Sequence, residues 1–416
     1  MHQAALLPDW FLPGTPIAAD QGSPNNTRTI FDTGDLNNDG YPDIVVAHGF
    51  RKAGVFLNNR DQSFASEALL SEPWWKVSQN VGATSVALGD LDGDRNLDLV
   101  IPIYGPHYQG RQIQLYRGLG NGSFVPWPVG GGIITASGAA NPMFAGIADF
   151  NLDGSADVVV SGNNGAWSVD ILKQNANQSF SVADSDRAGQ NPQFFDIADF
   201  NEDGAPDLVV GALYNGVFVF INEADGTGRI TKLGSTYLSA YKHYVVAADF
   251  NGDGHADIAA RDLKAPRIDL LLGDGTGVFS APTPVQTSGV EGYLAAADFD
   301  RDGDQDLVLS STSNKSVELL LNNGKGSFSV PISTPLDAAP WGIAVDDFNQ
   351  DGWADVVVSR NDNTIQILWN SARITVNPSA FTLPENPPAN SLVGTVMASG
   401  GAGPLTFTII AGNSDP

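Results

Sequence analysis

The sequence predicts an all-β fold: a closed ring of seven four-stranded antiparallel blades, that is, a seven-bladed β-propeller. Three observations lead there. A nine-residue acidic loop recurs seven times at intervals of about 50 residues. Each copy is followed by an unbroken apolar run such as Ile44-Val45-Val46-Ala47 or Val356-Val357-Val358, which marks a strand buried on both faces. Each repeat also carries turn signals for four short strands, and sheets of that kind stack radially as blades.

The loop reads most clearly at Asp249-Phe250-Asn251-Gly252-Asp253-Gly254-His255-Ala256-Asp257. Side-chain oxygens stand at positions 1, 3, 5 and 9, with glycine at position 6 for a sharp positive-φ bend. Calcium takes about 6–8 oxygens, and alternate side chains of a short loop supply them. Position 1 is Asp35, Asp90, Asp149, Asp199, Asp249, Asp298 and Asp347. Position 3 is Asn37, Asp92, Asn151, Asn201, Asn251, Asp300 and Asn349. Position 5 is Asp39, Asp94, Asp153, Asp203, Asp253, Asp302 and Asp351, and position 9 is Asp43, Asp98, Asp157, Asp207, Asp257, Asp306 and Asp355. Position 7 varies through Tyr41, Asn96, Ser155, Ala205, His255, Asp304 and Trp353, as expected where only a backbone carbonyl is contributed and the side chain is irrelevant. In the second copy Arg95 replaces the glycine; a non-glycine residue there costs about 1 kcal/mol, which the four carboxylates of that copy offset on binding an ion.

One such loop alone leaves room for a solvated turn; seven copies with the same fixed and variable positions do not. A helix-loop-helix calcium site is excluded, because it needs a glutamate at position 12. That position holds Val46, Ile101, Val160, Val210, Ala260, Leu309 and Val358. The expected cofactor is therefore up to seven Ca2+ ions, one per blade. Calcium is preferred to magnesium because an all-protein oxygen cage suits the larger ion.

Within a repeat, a lead-in strand such as Tyr244–Ala248 enters the loop, the apolar strand leaves it, and an alternating strand ends in a glycine-asparagine turn, as in Leu319-Leu320-Leu321-Asn322-Asn323-Gly324. A fourth strand opens at an aromatic residue: Phe64, Phe124, Phe180, Phe279 or Phe328. The seventh repeat has no fourth strand after Thr364–Trp369, whereas Trp10–Asp20 precedes the first loop and reads like one. Residues 10–20 are thus expected to pair with residues 364–370 and close the ring, leaving no open sheet edge. The expected division is a propeller over residues 1–371 and a short β-segment over 372–416.

The net charge of −26 argues against nucleic acid and anionic membranes as partners. Nearly half of the acidic residues, 23 of 47, lie at the four side-chain positions of the loops. Seven divalent ions would reduce −26 to −12, so folding and ion binding are expected to be linked. There are no cysteines, which excludes disulfides and thiol chemistry. No apolar run is long enough to insert into a membrane, and no signal peptide is visible. Sites of this kind fill readily outside cells, so secretion or a cell-surface location is expected.

The loops, with Ala-Asp-Phe before several of them and apolar strands after, resemble the FG-GAP/VCBS repeats of integrin-α-like propellers, over residues 10–371. The resemblance implies metal loops between the first and second strands of every blade, all on one face. After Asn370 the pattern changes. Leu383-Pro384-Glu385-Asn386 with Ser391–Val396 and Leu405–Ile410 resembles the start of a cadherin-like domain, in which Glu385 would bind calcium at a junction; a linker with a partial β-segment is the alternative.

With one rim committed to metal, a ligand is expected on the other. Aromatic and basic residues map there: Phe50, Arg51, Tyr104, His107, Tyr108, Phe144, Trp167, Tyr214, Tyr241, His243, Arg261, Tyr293 and Trp341. Flat rings suit sugars or apolar peptide side chains, though such residues also serve simply to cover strand ends. Of these, Tyr104, His107, Tyr108, Trp167, Tyr214, His243, Arg261 and Trp341 are the candidate ligand-binding residues. Three functions are open: a non-catalytic adhesion or ligand-binding module for an extracellular glycan or protein, a polysaccharide lyase using Tyr104, His107, Tyr108 and Arg261, or a spacer in a larger multidomain protein, in each case as a monomer. No zinc or nucleophile signature is present, and no catalytic residue is assigned.

Overall fold

The computed structural model describes residues 10–19, 30–48, 53–70, 82–104, 112–128, 132–136, 141–162, 167–233, 238, 241–290, 292–370, 375–376 and 398–399. Seven antiparallel sheets follow one another along the chain. Blades 3 to 6 are plain four-stranded meanders; blade 4, for instance, runs Pro192–Ala198, Asp207–Ala212, Gly216–Asn222 and Ile230–Lys232. Blade 2 is irregular: its inner strand is broken into Gly82–Ala83 and Ala87–Gly89, and its outer strand into Phe124–Pro126 and Ile133–Thr135.

Blade 7 joins the two ends of the propeller. Phe11–Pro13 pairs antiparallel with Thr364–Asn370, in the register Phe11↔Asn370, Leu12↔Trp369 and Pro13↔Leu368. Ile17–Ala18 continues along the same strand opposite Ile365 and Thr364. Gly14 sits between the two pieces, where an added Cβ would lie 2.8 Å from Trp369 Nε1, so the crossing needs glycine. The ring is closed as the sequence predicts.

The apolar second strands are buried throughout because each touches two neighbours. In blade 1, Val45 and Ala47 pack toward blade 2, whereas Ile44 and Val46 pack toward blade 7. Seven apolar clusters result, one at each junction between blades. The position-12 residues are all fully buried in these clusters. Position 2 of each acidic loop anchors there too: Leu36, Leu91, Phe150, Phe200, Phe250, Phe299 and Phe348 are 0–4 % exposed.

Around the axis, β-bulges early in the inner strands re-aim side chains inward. Phe144, Phe194, Tyr244 and Tyr293 meet there, with Phe194 and Tyr244 centroids 4.4 Å apart and Tyr244 and Tyr293 also 4.4 Å apart. They line a cavity of about 120 Å³. Phe144 and Tyr293, expected on the ligand rim, thus belong to an internal aromatic plug. Residues 372–416 lie outside the described residues apart from Thr375–Val376, which pairs with Ala398–Ser399. The cadherin-like segment around Glu385 therefore lies outside them.

Candidate metal centre and ligand rim

Every acidic loop sits between the first and second strands of its blade, on one face of the ring. Each is held by carboxylate-to-amide hydrogen bonds within the loop. In blade 3, Asp149 accepts from the amides of Asp153 at 3.1 Å and Gly154 at 2.8 Å, and Asp153 accepts from Ser155 at 2.9 Å. Position 6 is left-handed in all seven copies, including Arg95 at φ 71°. A second left-handed position is absent from the sequence reading: position 4, at Asn38, Gly93, Leu152, Glu202, Gly252, Arg301 and Gln350. The local hydrogen bonds compensate for that strain, so the position does not require glycine.

The position-9 aspartate is the structural pin. All seven are fully buried. Asp207 accepts from Phe200 N at 2.9 Å and from Asn222 N, across the blade, at 2.7 Å. The same bridge recurs from Asp43 to Asn58, Asp98 to Gly118, Asp157 to Gln174, Asp257 to Gly273, Asp306 to Asn322 and Asp355 to Asn370. Burial pushes these carboxyls up, against the pull of the amides and with a further push from the other loop aspartates. Asp43, Asp98, Asp157 and Asp257 reach about 6, Asp207 and Asp306 about 7, and Asp355 about 8. Asp355 is the most shifted and the most deeply buried of the seven.

The residue bridged by position 9 also staples the blades together. Asn58, Asn222, Asn322 and Asn370 donate their side-chain amides to the position-2 carbonyls Phe348, Phe150, Phe250 and Phe299 of a preceding blade, at 2.7–2.9 Å. Gln174 does the same to Leu91 at 2.6 Å. In blades 2 and 5 the position is Gly118 or Gly273, where a Cβ would lie 2.1 or 2.3 Å from a backbone oxygen.

Position 7 requires a correction, since its side chains are not irrelevant. Asn96 accepts from Asn38 of the preceding loop at 2.8 Å, His255 contacts Glu202, and the Trp353 ring lies 4.9 Å under the Arg301 guanidinium. Position 4 of one loop thus meets position 7 of the next, a pairing visible only once the blades are assembled.

Three carboxylates converge in each of two loops. Asp90, Asp92 and Asp98 bring one oxygen each within 4.8 Å of one another, as do Asp298, Asp300 and Asp306. These are the two copies with aspartate at position 3. Elsewhere asparagine replaces it, and in blades 3, 4, 5 and 7 it donates its amide to the position-5 carboxylate. The two triads differ in their surroundings. Arg117 spans Asp92 at 2.6 Å and Asp94 at 2.8 Å, a counter-charge inside the loop. Asp300 instead faces Asp302 and Asp298, and burial followed by these like charges raises its carboxyl above the usual range. The hard oxygen donors of both triads fit a divalent cation of the calcium type.

On the opposite rim, the sequence-predicted ligand residues separate. Tyr214 is 51 % exposed, and Trp167 and Trp341 are half-buried. Arg261 is 1 % exposed: its guanidinium donates to Ser310 O at 2.9 Å and, at 3.4 Å each, to Tyr293 O and Gly289 O, locking blade 5 to blade 6. It is withdrawn from any surface site, so the lyase constellation loses its basic member. Tyr104 and His243 lie on the strands Asp98–Tyr104 and Lys242–Ala248. Phe50, Arg51, His107 and Tyr108 lie outside the described residues.

Fold and loops together define a seven-bladed β-propeller with an acidic loop at the same point of every blade. The FG-GAP-like repeat family is matched at residues 35–101, 149–210, 199–260 and 298–358, more than half of the chain. The chain belongs to that family. No curated protein sequence matches it. Among solved structures, an Agrocybe aegerita lectin that recognises non-reducing terminal N-acetylglucosamine is similar at a TM-score of 0.52 and 18 % identity, over 81 % of this chain and 86 % of that one. BBS1N, from its complex with ARL6DN, is similar at 0.58 and 12 % identity, over 87 % and 97 %. A Lactobacillus plantarum protein is similar at 0.51 and 16 %, over 79 % and 87 %. At such identities the likeness concerns the fold alone.

Proposed function

We propose that the protein is a secreted or cell-surface binding module, non-catalytic, in which Ca2+ rigidifies the loop rim and the opposite rim carries a glycan or protein ligand. The observation that carries the metal half is the gathering of three carboxylate oxygens within 4.8 Å in loops 2 and 6. Positions 1, 3, 5 and 9 and the position-7 carbonyl would hold the ion, whose part is to neutralise the loop charge and fix its shape. The remaining five loops present the same framework with an amide oxygen at position 3. An extracellular setting is supported by the weakness expected of such loops, which fill at external calcium levels. The glycan half is supported by the exposed ring on the opposite rim and by the similar fold of a lectin.

Two measurements test this. Adding calcium to chelator-stripped protein is expected to raise its melting temperature, and one site at tenfold excess over its Kd contributes about 1.4 kcal/mol. An unchanged melt removes the metal half. A glycan array probed with calcium present is expected to give discrete binding; a blank array removes the glycan half.

A further inference from the structure

We propose that blades 3 to 5 carry, on the rim away from the acidic loops, a binding strip for an acidic polysaccharide, one whose sugar rings bear carboxylates. This rests on the glycan-binding reading above and specifies its ligand chemistry. The strip is built from aromatic rings with cations on two of them, Tyr241 and Trp167.

One part of it joins blades 4 and 5. Tyr214, in the turn between Asp207–Ala212 and Gly216–Asn222, is half exposed. Its ring stands edge-on to Tyr241 at 6.3 Å. The ammonium of Lys264, from the corresponding turn of blade 5, sits 3.5 Å over the Tyr241 ring centroid. Tyr241 has φ +74°, a left-handed conformation rarely adopted by a bulky residue. Its amide donates to Leu213 O at 2.8 Å and its carbonyl accepts from Leu263 N at 3.0 Å, so both turns are tied to it. Glycine would hold that backbone with less strain; what tyrosine adds at this position is the ring.

Blade 3 repeats the pairing. Trp167, also left-handed at φ +51°, has the Arg187 guanidinium 5.1 Å from its ring centroid. Behind it, in blade 4, the ammonium of Lys232 lies 4.9 Å from the centroid of Phe218, a buried core ring, and donates to Arg187 O at 3.4 Å. The two halves connect through Gln190, whose amide donates to Asn215 Oδ1 and whose carbonyl accepts from Tyr214 N.

Charge selects the ligand class. Nearby carboxylates are turned to the backbone: Asp262 accepts from the amides of Lys264 and Ala265, and Asp186 from that of Arg187. The side-chain ion pairs of Asp262 and Asp269 go to Arg267. Two cations on partly exposed aromatic rings, Lys264 on Tyr241 and Arg187 on Trp167, in a protein of net charge −26 with nearly half of its acids in the loops of the other rim, suit pyranose rings packed against Tyr214 and Trp167 with their carboxylates at the cations. A neutral sugar would engage the rings but gain nothing from the charges.

The test uses the full chain with calcium present and an array pairing neutral oligosaccharides with their C6-oxidised, uronate-bearing counterparts, plus dextran sulfate. Uronate members are expected to bind at least about tenfold more tightly than their neutral partners, and less so in high salt. Tyr214→Ala and Lys264→Gln should each weaken binding by about tenfold or more with unchanged melting. Tyr241→Gly should weaken it while keeping or raising the melting temperature, since it keeps the backbone and removes only the ring. Preference for the neutral partners overturns the proposal and leaves the glycan reading standing; an array blank for every sugar removes both. Dextran sulfate binding as tightly, indifferent to Tyr214→Ala, reduces the strip to a general anion surface and also overturns it.

Discussion

Asp207 illustrates what a single buried carboxylate does in this ring. Both of its oxygens are engaged by backbone amides, one at the start of its own loop and one at the end of the following strand. Asp207→Ala would strand two buried donors, at about 1–3 kcal/mol each. The expected loss is about 3 kcal/mol in a urea melt; a change under about 0.5 kcal/mol would contradict the pin, since that is the size of an ordinary surface substitution. The sequence made the loop aspartates legible because their spacing repeats within one 50-residue unit. It did not reveal the Asn222 staple, although an asparagine recurs at the end of the third strand, because the acceptor Phe150 O lies in another blade 72 residues away. For the same reason the side chains at position 7 looked free.

At the scale of the element, the N-terminal pair of strands decides whether blade 7 exists. Phe11 is 1 % exposed and meets Phe299 edge-on at 5.7 Å, so this strand also contributes to the junction between blades 6 and 7. Deletion through Ile17 would open the sheet edge at Thr364–Asn370 and expose that cluster. A large drop in melting temperature is expected by calorimetry, with Phe11→Ala alone losing about 3–5 kcal/mol; native melting of the truncated chain would refute the closure. This element was readable from the surplus strand at one end and the missing one at the other. The inner-strand bulges were not, because a register shift such as that between Lys242 and Tyr244 has no signature in the hydrophobic pattern. Phe144 and Tyr293 therefore line the axial cavity, where the pattern alone points to the rim.

For the whole molecule, seven buried aspartates make the calcium-free ring sensitive to pH. Their folded-state values of about 6 to 8 lie above the ~3.9 of an unfolded aspartate. Between those limits the folded state holds protons that the unfolded chain releases, so stability falls as pH rises through that window. Calcium-free protein is therefore expected to melt higher at pH 5 than at pH 8, and saturating calcium should close the gap, because the ion stabilises the deprotonated form. A calcium-free melt that rises from pH 5 to pH 8 would contradict the assignment.

The pairing of Phe11 with Asn370 also has a consequence during synthesis. On the ribosome, this first strand of the ring must wait for the other six blades before its partner emerges, so the nascent polypeptide passes through a stage as an unfinished arc with two raw flanks. Moving the termini by circular permutation, with the cut placed between two intact blades and the native ends joined, would let each sheet assemble from contiguous chain and shorten that exposure.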